Sequence, residues 1–167
     1  LGLDSDSIVR ICQEVQAELG QEVQAVNFNC PGQVVIAGKT AAVETAATKL
    51  KEAGAKRAVM LPVSAPFHST LMEPAAKGLA AELDKITIKD AVIPVISNVT
   101  GKPMTSEADI KRLLVAQAAS PVIWEECVQT LLAEGAECLV EVGPGKVLTG
   151  FTKKIAKETN SANIEDL

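Results

Sequence analysis

The single histidine of the chain, His68, closes a proline-stiffened stretch, Pro62-Val63-Ser64-Ala65-Pro66-Phe67-His68. A neutral imidazole on such a loop can take a proton from a nucleophile and later return it to a leaving group. The same position also suits a half-buried histidine that bonds only to backbone, and loop placement alone does not separate the two. A base needs something to activate. Ser69 adjoins His68, yet the chain holds neither a G-x-S-x-G elbow nor an S-x-x-K motif. Cys30 offers a thiol, although a cysteine at the end of an apolar strand is more often a buried small hydrophobe.

Gln117 follows Leu114 by three residues and Ile110 by seven, which puts an amide on the apolar face of its helix. A buried amide without partners costs about 1–3 kcal/mol. Either this helix end supplies an acceptor that orients an imidazole, as triad chemistry needs, or Gln117 reaches solvent or nearby backbone. Asn27 and Asn29 occupy a strand that their type disfavours. They can hold a polar substrate or satisfy loop backbone. Gly143-Pro144-Gly145-Lys146 joins a strand to a helix but is not a phosphate loop, since Val140 and Val147 replace the required Gly and Ser/Thr. What remains is a helix N-terminus whose free N–H groups favour an anion. Lys146, Lys153, Lys154 and Lys157 make that last helix basic, as a solvated face or a dock for an acidic partner.

These residues must be positioned by alternating helices and strands, which is an α/β pattern. Asp4 or Ser5 caps a helix carrying Ile8, Ile11, Cys12, Val15 and Leu19, and Gly20 ends it. Residues 23–30 read as a strand, with Val26, Phe28 and Cys30 on one face and Ala25, Asn27 and Asn29 on the other. Pro31-Gly32 turns the chain into a return strand over 33–37. Thr40 caps a second helix that stops at Gly54, and 56–63 is the next strand. Leu1-Gly2-Leu3 has the character of a strand end whose beginning lies upstream. With that strand restored, the order is the β-α-β-β-α-β of a ferredoxin-like subdomain. Beyond it, the pattern predicts a helix over 71–83 and a strand over 92–96. Ser106 then opens a helix as a capping box, another helix starts at Pro121 and runs to Gly135, and a strand over 138–142 precedes the last helix from Lys146.

Composition removes other classes. With 167 residues, 47% of them hydrophobic, the chain can bury a core. A net charge of −5, with three Phe, one Trp and no Tyr, argues against nucleic acid as the partner. Four cysteines without a C-x-x-C pair, and one histidine, make no disulfide framework or zinc site. No apolar run approaches a membrane span and no basic-then-apolar signal opens the chain. The expectation is a cytoplasmic protein without metal or membrane attachment.

Four segments taken together carry a resemblance. They are the run from Val26 through Asn29-Cys30-Pro31-Gly32-Gln33 to Gly38; Pro66-Phe67-His68-Ser69; Val115-Ala116-Gln117 followed by Ser120-Pro121-Val122; and Glu141-Val142-Gly143-Pro144-Gly145-Lys146-Val147-Leu148. In this order they closely resemble the malonyl-CoA:acyl-carrier-protein transacylases of bacterial fatty-acid synthesis and the related acyltransferase domains of polyketide synthases. The likeness runs over essentially the whole chain.

The resemblance implies acyl transfer through a serine ester, with malonyl moving from coenzyme A to the phosphopantetheine thiol of acyl carrier protein. No cofactor is implied beyond the thioester substrate. His68 matches the family's catalytic histidine, and Gln117 the residue whose carbonyl holds that imidazole in its working tautomer. Phe67 matches the malonyl-preferring form of the histidine motif, and Asn27 and Asn29 line the cleft between the subdomains. The implied architecture is a ferredoxin-like small subdomain over 1–63, its first strand truncated. It is inserted in an α/β-hydrolase-like large subdomain, whose C-terminal part is 64–167.

The serine elbow, the arginine for the malonate carboxylate and the oxyanion-hole loop do not occur in the sequence. The expectation is therefore a C-terminal piece that holds the base but not the nucleophile, is not acylated alone, and is poorly stable because its large subdomain lacks central strands and exposes apolar surface. The full-length protein is expected to be a monomer. The alternatives are a piece of a polyketide-synthase acyltransferase domain and a non-catalytic ferredoxin-like ligand-binding module.

Overall fold

The computed structural model describes residues 1–166. Helix α1, Ser5–Leu19, begins where Asp4 Oδ1 accepts the Ser7 N–H at 2.8 Å and ends at Gly20, which is left-handed at φ 60° and returns its N–H to the Gln16 carbonyl. Both caps are as the sequence predicts. Strands β1, Val23–Cys30, and β2, Gln33–Gly38, form an antiparallel hairpin. At its open end β2 nearly touches β1, so a Cβ on Gly38 would fall 2.0 Å from the Glu22 carbonyl oxygen. Helix α2, Thr40–Glu52, follows, with Lys39 rather than Thr40 at the cap position. Ile8, Ile11, Cys12, Val15, Val23, Ala25, Ala42, Ala46 and Leu50 bury themselves between the helices and the hairpin.

The faces of β1 do not follow strict alternation. Ala25 pairs Ile36 and Asn27 pairs Val35, so Val26 is an extra residue; Asn29 is a second one, between Phe28–Val34 and Cys30–Gln33. Each bulge resets the side-chain parity. Phe28 consequently packs against the same core as Val23 and Ala25, not on a face of its own with Val26 and Cys30. The bulged Val26 turns its carbonyl outward to accept the Val122 N–H at 2.9 Å, and Val122 in turn accepts the Phe28 N–H at 2.8 Å.

That pairing also moves the start of the helix expected from Pro121. Val122 is held in extended backbone by β1, and the helix begins at Trp124 (α5, Trp124–Ala133). The strand expected over 56–63 is not formed. Leu1 exchanges backbone bonds with Arg57, its N–H to the Arg57 oxygen at 2.8 Å and the reverse at 3.4 Å. The extended run beyond has no ladder partner among the described residues.

A short 3₁₀ turn, Thr70–Met72, leads into α3, Glu73–Leu83, which packs on α4, Glu107–Gln117. Of the strand expected over 92–96 only Val95–Ile96 (β3) is paired, with Pro103–Met104 (β4). Strand β5, Cys138–Glu141, pairs in parallel with β6, Asn160–Asn163, across helix α6, Val147–Ile155. The polar β6, Asn-Ser-Ala-Asn, has no apolar pattern to announce it. Helices α5 and α6 both contact β1, so this strand joins the first half of the chain to the second.

Candidate functional site

His68 lies in the turn that follows the two prolines, and it is the one non-glycine among the described residues with a left-handed backbone, φ 63°. The turn is pinned from three sides. Ser69, fully buried, donates its hydroxyl to the Pro66 carbonyl at 2.7 Å. Thr70 donates its N–H to Gln24 Oε1 of β1 at 2.9 Å. His68 itself places Nδ1 2.9 Å from the backbone oxygen of Gln117. Ser69 is thereby committed to its own turn rather than to the imidazole.

A carbonyl oxygen only accepts, so Nδ1 carries the proton in this bond and the neutral ring presents Nε2 as its free lone pair. The acceptor exists because Gln117 ends α4. The last four carbonyls of a helix lack intrahelical partners. Those of Val115 and Ala116 are taken by the N–H groups of Ala118 and Ala119, at 3.3 and 3.1 Å, and that of Gln117 turns to the imidazole. Helix α4 is itself set by Ser106, whose Oγ accepts the Asp109 N–H at 3.2 Å as the expected capping box requires, while Asp109 Oδ2 accepts the Ser106 hydroxyl at 3.0 Å rather than the Ser106 N–H.

Gln117 and His68 are thus brought together, although through backbone rather than the amide that the spacing singled out. The amide points elsewhere: Gln117 Oε1 accepts Nδ2 of Asn98 at 3.3 Å. Phe67 beside His68 is half-exposed. Asn27 and Asn29 are partly buried on β1, Asn27 against Val122 and Asn29 in the second bulge. Two amides related by a simple two-residue repeat is therefore not what the strand presents.

Cys30 is buried, and burial pushes its thiol up from the ordinary cysteine range, as suits a structural residue. The helix N-terminus after Gly145 is already filled. Glu141 accepts the N–H groups of Leu148 at 3.0 Å and Thr149 at 2.8 Å and the Thr149 hydroxyl at 2.7 Å. The Thr149 N–H foremost holds this carboxyl below its usual value. The anion that the sequence suggested is the protein's own. Asn163, which no motif marks, is fully buried beneath the same turn and donates to the Gly143 and Gly145 carbonyls. Lys154 reaches Gln33 Oε1 at 3.1 Å and ties α6 to the hairpin turn.

Among the described residues no three His, Cys, Asp or Glu side chains gather as metal ligands, and no helix is long and apolar enough to cross a membrane. Fold and site define a class: an α/β protein with one imidazole held in a single tautomer on a strained loop. Comparison with known sequences carries this to a family. The acyl transferase domain family matches residues 8–166, and the chain belongs to it.

Among its relatives, the malonyl CoA-acyl carrier protein transacylase of Bacillus subtilis is 48% identical over 166 residues, 99% of this chain and 52% of that protein. The Haemophilus influenzae protein of the same name is 50% identical over 167 residues, all of this chain and 53% of that one. A crystal structure of an acyl carrier protein S-malonyltransferase from Vibrio cholerae superposes with a TM-score of 0.94 at 48% identity, covering 98% of this chain and 53% of that one. A malonyl-transacylase solved in complex with its type II polyketide acyl-carrier protein matches equally, with a TM-score of 0.94 at 48% identity, over 100% and 53%. The chain spans about half the length of the curated relatives it matches.

Proposed function

We propose that the protein carrying this chain transfers a malonyl group from coenzyme A to the phosphopantetheine thiol of acyl carrier protein, with His68 as its general base and acid. The observation that carries the reading is the 2.9 Å bond from His68 Nδ1 to the Gln117 carbonyl. It leaves Nε2 free to accept a hydroxyl proton, the role a nucleophile's base must fill. The reading needs a nucleophilic serine in the polypeptide that carries this chain, and these 167 residues hold no G-x-S-x-G elbow to supply it.

In the first half-reaction Nε2 takes the serine proton as the oxygen attacks the thioester carbonyl. The tetrahedral species collapses with cleavage of the C–S bond, and the imidazolium returns its proton to the departing thiolate. The second half-reaction runs the same steps in reverse, with the carrier's thiol as nucleophile and the serine oxygen as leaving group. The Gln117 carbonyl faces the imidazolium formed in each half and favours it. Phe67, Asn27 and Asn29 take their place in this reading as the lining of the acyl cleft. Residues 1–63 are a ferredoxin-like small subdomain and 64–167 part of the large one. The antiparallel exchange between Leu1 and Arg57 supports that division, because it gives Leu1 the place of a strand beside 56–57.

The test is intact-mass spectrometry of the natural full-length polypeptide that carries this chain, mixed with malonyl-CoA. The expected result is a gain of one malonyl unit, with His68→Ala slowing it by about 10²–10⁴-fold, the usual contribution of a general base. Unchanged acylation of the variant would overturn the reading.

A further inference from the structure

Bonds that the acyl transfer above does not use converge on Asn98, in the loop between β3 and β4. Its Nδ2 donates to Gln117 Oε1 at 3.3 Å, and its backbone carbonyl accepts the Ile123 N–H at 2.9 Å. Its Oδ1 lies 3.8 Å from Cys127 Sγ. Cys127 is buried and its thiol is pushed up to about 11 by desolvation, so at neutral pH the sulfur keeps its proton and donates it to Oδ1 or to the Ser97 carbonyl at 3.4 Å. The loop is rigid in its own right. Ser97 bonds Lys102 and Gly101 through backbone, and Thr130 of α5 donates its hydroxyl to the Gly101 carbonyl at 2.6 Å. Asn98 thus projects from a fixed support toward the end of α4.

The end of a helix is its least determined part, since its last carbonyls lack intrahelical partners and its final turn frays. Here the end of α4 carries the oxygen that orients His68. An amide suits the position because it donates toward Gln117 and accepts toward Cys127 at once. Aspartate lacks the donor and leucine lacks both. We infer that Asn98 is a positioning residue for His68, fixing the Gln117 turn through the Nδ2–Oε1 bond so that the Gln117 carbonyl faces Nδ1. The inference deepens the acyl-transfer reading and rests on it for its effect on rate. A displacement of about 1 Å at a reacting group can cost on the order of 10²-fold, so one bond removed from the reacting atoms is enough to matter.

The experiment uses the natural full-length polypeptide with Asn98→Ala, Asn98→Asp, Gln117→Met and the double variant Asn98→Ala/Gln117→Met. Asn98→Asp keeps shape and the Cys127 acceptor and removes the donor, and Gln117→Met leaves the backbone carbonyl in place. Two readouts are taken: steady-state acyl transfer, and the ring ¹⁵N shifts of His68, assigned against His68→Gln. Each single variant is expected to lower kcat about tenfold, the low end for loss of an outer-shell partner, with KM little changed. His68 should move from the Nδ1–H tautomer toward a mixture. The double variant should be no worse than the worse single, because both changes remove one bond. Unchanged kcat and tautomer in Asn98→Asp, or single effects that multiply in the double, would overturn the inference. If His68→Ala leaves transfer intact, it is the acyl-transfer reading that fails. The tautomer readout then still judges Asn98, since it needs no activity.

Discussion

At the scale of the residue, His68 carries two constraints that oppose each other. Its ring is bonded to Gln117, and its backbone is left-handed at φ 63°. A left-handed L-residue costs roughly 1–2 kcal/mol, although histidine is among the residues enriched there. The surrounding turn must impose that conformation through Ser69 and Thr70. Comparing two truncations isolates the backbone cost. Elsewhere glycine is less stable than alanine by roughly 0.5–1 kcal/mol. At position 68 the order should reverse, with His68→Gly more stable than His68→Ala by about 1 kcal/mol in urea unfolding. Alanine equal to or above glycine would mean that the turn is not left-handed.

The imidazole itself was legible because it is the single histidine and closes a loop stiffened by two prolines. Gln117 was legible for the wrong group. An amide at an apolar helical spacing draws notice, while the backbone oxygen that meets His68 has no residue signature, and any side chain there would supply it. Asn98 is a polar loop residue in sequence, and only the hairpin that brings it to α4 gives its amide a partner.

At the scale of the element, signals written in short side chains next to their own backbone were readable. Asp4, Gly20 and Ser106 all act on residues within four positions. Features that depend on a distant partner were not. The bulges of β1 come from its pairing with both β2 and Val122, and they undo a two-residue alternation that the sequence keeps. The late start of α5 has the same cause. Strand β6 exists because β5 and the Asn163 amide organise the turn before α6.

The Glu141 cap on α6 gives a prediction with a definite sign. A carboxyl whose folded-state pKa is depressed adds stability above its unfolded value, about 4.3, and loses it as pH falls through the lower folded-state value. Glu141 is such a group. Glu141→Gln should therefore lower the urea midpoint most at neutral pH. The gap to the wild-type protein should close as the solution is acidified below the ordinary carboxylate range. A gap constant down to pH ~2 would mean that the anion on the α6 N–H groups contributes nothing as a charge.

At the scale of the molecule, the two halves are closed to different degrees. Between α1, α2 and the hairpin lies a closed core, with Val15, Ala42 and Ala46 wholly buried. Elsewhere large apolar side chains stand in solvent: Val59, Met60, Leu61 and Val63 in the extended run, Val92 at 99% exposure, Ile93 at 77% and Val142 at 76%. Val140 of β5 is also exposed, in a parallel pair of a kind that ordinarily has both faces covered. Monomeric proteins do not usually leave so many large apolar side chains uncovered, and each one buried contributes about 1.5–3 kcal/mol. The 167-residue chain alone should keep its helical circular dichroism, because α1 and α2 pack on the hairpin around that buried core. At tens of micromolar it should self-associate and bind a hydrophobic dye. Light scattering behind size exclusion is the direct measurement. Ile93→Lys with Val142→Lys should shift the population toward monomer, with a stability change within about 0.5 kcal/mol, as for other exposed positions. A concentration-independent monomer without dye binding would mean that these side chains cover one another in solution. The second half would then be as closed as the first.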